Sequence, residues 1–242
     1  AWLDLSKEPL ILKVPKIENR YYVFPFYDAW TNVFKSIGTR TTGEEKGNYA
    51  LVGPDWKGTF PSGVKPIRSS TNLVWIIGRI ETRGPKDYAA VHEIQDQFEL
   101  VPLSSWEKDF HPKKSVLFNK NTNLAAPIKQ VENMSSEVFF EKLSYLLKEN
   151  PPSLEDAPFI EKLEKAHIYS DFNVSKDSKT EESVNKAKIK IKNFFNSSPF
   201  GRYENGWLVL TEKMGKYGTD YDLRAATAYR SEEHTSELQS RL

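Results

Sequence analysis

The chain has 242 residues with no cysteine, 34 Lys and Arg against 33 Asp and Glu, and a formal net charge of +1. Without cysteine there is no disulfide framework, thiol nucleophile or cysteine metal site, and the near-neutral balance argues against charge-driven binding to nucleic acid or an anionic membrane. No apolar run approaches the roughly 20 residues of a membrane span, and the length allows one large or two small domains with a sizeable core.

The first third reads as β. Leu10, Leu12 and Val14 alternate with polar or small positions, which predicts a strand buried on one face. The polar segment from Lys16 to Arg20 makes a turn into a second strand, Tyr21–Tyr27. Seven aromatic residues lie between Tyr21 and Phe34, and each hides roughly 150–250 Å² when packed, so this block should be core. Pro25 lacks an N–H and should mark an edge strand or a bulge. Asn48–Val52 is a further strand, closed by the turn GPDWKG, and Val64–Arg68 and Asn72–Ile80 continue the pattern. Within the last of these, LVWIIG is apolar enough to be buried on both faces.

The period then changes. Tyr88, Val91, Ile94, Gln95 and Phe98 fall near helical spacing, with Pro85 suited to the first turn. Leu100–Leu103 closes this unit, and Ser104–Met134 reads as a long polar loop containing Pro112 and Pro127. Ser135–Glu149 predicts a helix from Phe139, Leu143, Leu146 and Leu147, stopped by Asn150-Pro151-Pro152. A second helix is expected over Leu154–His167 and a third over Thr180–Asn196, where Glu181 and Glu182 suit the first turn. The alternating KAKIKIKN within the third competes as strand, but flanks and length favour helix. Gly206–Thr211 reads as a short strand and Thr219–Tyr229 as the start of a helix.

Several residue sets could carry chemistry. Asp28, Arg40 and Arg79 could bind an anionic or sugar-like ligand bidentately, or form a structural ion pair across a buried polar seam. Tyr27, Trp30, Trp56 and Trp75 could form a stacking platform for sugar rings, although aromatics in β-rich domains usually serve as core. Trp56, in an Asp-Trp-Lys turn, is the one hardest to explain by packing and the best single binding contact. His92 and Asp96 lie four apart on the expected helix beside Glu93, a base with an orienting carboxylate or an ordinary surface pair. No HExxH occurs, and nothing calls for a metal or a cofactor. Tyr217–Tyr221 reads as a turn into a helix cap at Thr219 or Asp220, with Arg224 four residues after Asp220. GTRTTG, Gly38–Gly43, lacks the spacing of a phosphate loop. Lys186, Lys188, Lys190 and Lys192 read as a solvated helix face. No nucleophile elbow, Ser-His-Asp order or paired glycosidase carboxylates can be assigned, so catalytic residues are unknown.

The pieces AWLDLSKEP, RYYVFPFYDAWTNVF, GTRTTG, GPDWKG, NLVWIIGR and AVHEIQDQFELVPLSSW, followed by NGWLVL and GKYGTDYDLRAATAY, resemble the paired domains of unknown function numbered 1254 and 1214. The resemblance implies exported, periplasmic or envelope-associated bacterial proteins, with relatives in large DNA viruses. It also implies a second domain that is a β-sandwich of the kind shared by capsid and carbohydrate-active folds. It supplies no catalytic residues.

The last thirteen residues, Arg230–Leu242, read RSEEHTSELQSRL and resemble a common short-read sequencing adapter translated in this frame. They are set aside from fold reasoning, so His234 carries no meaning beside His92, His111 and His167. With no initiator Met, the chain is expected to be an interior fragment whose second domain is cut short. The expected organisation is α+β: a mainly antiparallel β-rich domain with a capping helix over 1–103, a loop and helical connector over 104–200, and the start of a second domain over 201–229. The expected function is a ligand-binding or scaffolding module of an exported two-domain protein. Its ligand would be carbohydrate-like or small and polar, bound by Asp28, Trp30, Arg40, Trp56, Trp75 and Arg79, and its partner the C-terminal domain of its own chain. The alternatives are a hydrolase acting at the junction of the two domains and a virus-like structural protein.

Overall fold

The structure, a computed structural model, describes residues 1–111, 123–168, 178–197, 201–210 and 213–229. The chain is α+β and divides into two compact units, Ala1–Val116 and Leu117–Leu242. Residues Arg230–Leu242, with the adapter-like tail, lie outside the described residues, as does Pro112.

The first unit holds two sheets. One contains β1 (Trp2–Asp4), β3 (Tyr22–Asp28), β4 (Val33–Gly38) and β7 (Leu73–Ile76), in the order β1-β7-β3-β4, with β8 (Arg79–Ile80) also paired to β3. The other contains β2 (Leu10–Val14), β5 (Gly47–Val52), β6 (Val64–Arg68) and β9 (Glu99–Pro102), in the order β6-β5-β2-β9. Every pairing is antiparallel except β5 with β6. The main core lies between the sheets, with Tyr22, Phe26, Ile37, Val74 and Ile76 from one and Leu12, Val14, Tyr49, Leu51 and Ile67 from the other. A fully buried apolar side chain of this size contributes about 1.5–3 kcal/mol.

Two burial expectations exchange places. Because β2 is an interior strand, Ile11 on its other face is fully buried too, in a second cluster with Ala50, Val52, Val64 and Val101. That face is covered by Trp56, Phe60, Leu103, Trp106 and Phe110 from the connecting loops. Conversely, β7 alternates: Val74 and Ile76 are buried while Leu73 and Trp75 are half-buried.

Pro25 sits at neither an edge nor a bulge of its own strand. β3 is interior, and the register runs from Phe26 opposite Lys35 to Tyr27 opposite Val33, so the extra residue is Phe34 of β4. On the other side of β3 the ladder breaks between Ile76 and Arg79, and the Pro25 carbonyl faces that break, accepting from Ile77 N at 3.5 Å. N–H and C=O of one strand residue point to the same side, so the missing donor falls where no strand needs it.

After a 3₁₀ turn at Pro85–Asp87 comes α1 (Tyr88–Gln95), which buries Val91, while Ile94 and Phe98 pack on the main core. The turn is fixed by Arg20, whose guanidinium donates to both carboxylate oxygens of Asp87 at 2.6 and 2.7 Å and to the Glu81 carbonyl at 2.6 Å. The Arg20 hydrogen bond, and a second from the Arg83 N–H, hold the Asp87 carboxyl well below the usual carboxylate range. The sequence reading passed over this pair, which is 67 residues apart along the chain.

The second unit contains α2 (Pro127–Glu132), α3 (Ser136–Glu149), α4 (Ala157–Lys165), α5 (Ser178–Ser197), the hairpin β10 (Gly201–Glu204) with β11 (Trp207–Leu210), and α6 over 221–229. The segment expected as loop up to Met134 therefore includes α2. Ser135 caps α3 by accepting from Val138 N, and Asp220 caps α6 by accepting from Leu223 N. Tyr217, Leu223 and Ala226 form a small core with Ile191, Phe194 and Met214. The lysines of α5 are not simply solvated: Lys188 donates to the Glu132 and Met134 carbonyls, Lys190 pairs with Asp222, and Lys192 pairs with Glu132.

Glu132 ties α2, α5 and α6 together, accepting from Lys192, Lys129 and the Tyr229 hydroxyl at 2.6, 2.9 and 2.7 Å. These bonds, led by that from Lys192, lower its carboxyl from 4.5 to about 2. Because the folded value is depressed, the contribution is complete above about pH 4.5 and lost as pH falls towards about 2. Allowing for solvent screening it amounts to about 1–2 kcal/mol. Denaturation followed from pH 6 to pH 2 is expected to show Glu132→Gln less stable than the parent at pH 6, with the two converging in acid. A difference that stays constant with pH would refute the ionic account.

Candidate functional site

The register of the first sheet sets three aromatic residues in one row. Trp2 of β1 lies opposite Trp75 of β7, and Trp75 lies opposite Tyr27 of β3. Cross-strand partners share a face, and the adjacent pairs Leu3–Val74 and Phe26–Ile76 point into the core, so this row points outward. The Trp2 and Trp75 rings are nearly parallel, 9° apart with centroids at 5.3 Å, and Tyr27 lies 5.1 Å from Trp75 at 38°.

These aromatics form a stack rather than a flat platform. Trp2 and Trp75 meet face to face, and Tyr27 is tilted against Trp75. Trp2 is 58% exposed on β1, the last strand in the order β1-β7-β3-β4. Asp4 follows two residues later on the same face, about 7 Å along the strand. Its exposed carboxylate is kept below its ordinary value, chiefly by the Ser6 hydrogen bonds, and is ionised at neutral pH. An exposed indole beside a carboxylate acceptor suits a ligand with one apolar face and hydroxyl donors at its rim.

The sequence reading named Tyr27 and Trp75 but missed Trp2. The signal was present in the alternation Trp2, Leu3, Asp4, Leu5, which puts the tryptophan on the face opposite the buried leucines.

The other expected site residues do not join this row. Asp28 is 6% exposed, and its carboxylate accepts from the backbone N–H groups of Trp30 and Asn32, the Asn32 amide and the Ser70 hydroxyl. It organises a tight turn in which Thr31 takes a left-handed φ of 64°. Trp30 lies half-buried in that turn. Arg79 pairs with Val23, five residues from Asp28 and therefore about 17 Å along β3. Arg40 is exposed, its guanidinium 5.3 Å above the Tyr21 ring. The seam expected from Asp28, Arg40 and Arg79 does not assemble: both arginines lie at the end of β3 opposite Asp28.

Trp56 is not a loop-tip contact. Its indole folds back against the second cluster, while its loop is clamped by Arg68, which donates to the carbonyls of Gly53, Pro54 and Trp56. Gly58 lets this happen, since a Cβ there would come within 2.4 Å of the indole. His92, Glu93 and Asp96 are exposed on or just after α1, and the link from Asp96 to His92 is a backbone N–H to carbonyl bond. The Gly38–Gly43 turn directs the N–H groups of Thr41, Thr42 and Gly43 to the Gly38 carbonyl, so they are not presented to a phosphate. Among the described residues no cluster of three or more His, Asp or Glu could hold a metal, and no helix is long and apolar enough to cross a membrane.

Residues 1–102 match the family described as Protein of unknown function (DUF1254). The fold is similar to the crystal structure of the VPA0106 protein from Vibrio parahaemolyticus, with a TM-score of 0.70 and 19% identity over 96% of this chain. The chain spans about half of that protein, 55% of its length. No curated protein matches the sequence.

Proposed function

We propose that the N-terminal unit is a ligand-binding or scaffolding module of an exported two-domain protein, taking a carbohydrate-like or small polar ligand on the outer face of Trp2. The observation that carries this reading is the Trp2–Trp75–Tyr27 row, which leaves one large indole exposed beside Asp4. A sugar ring can extend the stack through its apolar face while Asp4 accepts a hydroxyl. The similarity to the family and to a protein nearly twice as long supports the two-domain part of the reading. The hydrolase alternative has no comparable support, because Asp28 spends its carboxylate on its own turn and His92 is a surface residue.

The test is calorimetric and tryptophan-fluorescence titration of the chain with soluble oligosaccharides of glucose, N-acetylglucosamine and mannose. Saturable binding by one of them is expected, and Trp2→Ala is expected to weaken it at least about tenfold, or ~1.4 kcal/mol. Trp2→Ala also gives up the stack on Trp75, about 0.5–1.5 kcal/mol, so affinities are compared at a temperature where both proteins are fully folded. Absence of binding to every oligosaccharide, or unchanged affinity in Trp2→Ala, would overturn the assignment.

A further inference from the structure

A second candidate site lies on the inner side of the same sheet, towards the opposite end of β3. Between β7 and β8 the chain leaves the ladder at Ile77 and Gly78, and this leaves a shallow, solvent-open hollow of about 320 Å³ lined by Phe24, Gly78, Ile80, Gln95 and Phe98. Phe24 and Phe98 form its aromatic wall, stacked with centroids 4.7 Å apart at 26°. Ile80 adds an aliphatic side, and the last turn of α1 brings Gln95 to the rim.

The wall needs a residue without a side chain at Gly78, where a Cβ would stand 2.5 Å from the Phe24 ring. No lining residue is charged, although Arg79 sits between two of them in sequence. Strand alternation turns Arg79 away from Ile80, and it is exposed. The polar element is the Gln95 side chain, which has both a donor and an acceptor to offer.

We propose that this hollow binds a small, uncharged, ring-sized molecule bearing one amide or hydroxyl group that pairs with Gln95. The volume is at the lower end for small-molecule sites, enough for about one ring and its substituent. Two phenylalanines and an isoleucine favour an apolar or aromatic body. A charged ligand gains less here, because no lining side chain offers it an opposite charge. This inference is independent of the sugar reading: it uses other residues and the other face of the sheet.

Benzamide, benzoate and toluene serve as probes of similar size and different polarity, with binding to the full chain followed by ¹H–¹⁵N NMR. Benzamide is expected to bind saturably with Kd of about 1 mM, shifting the Gly78, Ile80 and Gln95 amides. Benzoate should bind at least about tenfold more weakly. Gln95→Leu should weaken benzamide about tenfold while leaving toluene unchanged, and Gln95→Trp should block all three. Gln95 is exposed, so both variants should keep the parent amide spectrum outside the hollow. The proposal is overturned if benzamide shifts none of these amides, if benzoate binds equally well, or if Gln95→Leu weakens toluene as much as benzamide.

Discussion

Gly38→Ala is expected to destabilise the N-terminal unit by about 3 kcal/mol or more, with a fall in melting temperature of at least about 10 °C. Gly38 has φ 149°, and a Cβ there would stand 2.3 Å from the Tyr22 carbonyl oxygen and 2.9 Å from the Val23 Cα. Both are backbone atoms of β3 and cannot swing aside. The Gly38 carbonyl also gathers the N–H groups of Thr41, Thr42 and Gly43 at 2.9, 2.9 and 3.1 Å, while its own N–H donates to the Thr42 hydroxyl. Moving it therefore breaks the whole turn. Gly43 is the control: its φ is 82° but no atom lies within 4 Å of its would-be Cβ, so Gly43→Ala should cost only about 1 kcal/mol. Urea denaturation of both variants tests this, and equal losses would show that the close approach at Gly38 is not what matters.

Asp28→Ala is expected to cost about 2–4 kcal/mol. It leaves four donors, those of Trp30 N, Asn32 N, Asn32 Nδ2 and the exposed Ser70 Oγ, without their acceptor around a half-buried turn. Asp28→Asn retains one acceptor oxygen and should lose about half as much. The pair of variants separates a structural role from a functional one. If Asp28 served a ligand instead, Asp28→Ala would keep the parent's melting temperature and lose only binding.

Much of the secondary structure was legible because it rests on local patterns. The helix Ser136–Glu149 has a capping serine, an apolar stripe and a proline stop, and the helix Ser178–Ser197 formed despite its alternating lysines because its flanks are helical. One full strand, Val33–Gly38, was not marked out within the aromatic block, and the other elements missed were short. Pro127–Glu132 spans less than two turns, too few for a period to show. Gly201–Glu204 has no alternation of its own, although Asn205-Gly206, both at positive φ, is the dipeptide that closes two-residue hairpins.

The site was less legible, since each expected residue was placed by neighbours far along the chain. Trp56 looked exposed in its turn, yet Arg68 and Gly58 fold it onto a cluster that exists only because Ile11 lies in an interior strand. Asp28 and Arg79 looked like partners, yet the pairing of Arg79 with Val23 separates them along β3.

The sequence by itself determined the α+β class, the β-rich character of the first hundred residues and the absence of cysteine chemistry. These follow from composition and from periods of two and 3.6 residues, which each segment carries alone. Of the seven-aromatic block, however, only Tyr22 and Phe26 are fully buried. The tertiary structure decided which face of each strand is covered and which aromatics meet. Those outcomes depend on register between strands as distant as Trp2 and Trp75, and registry over such separations is fixed by the packing of the whole core, not by any local run.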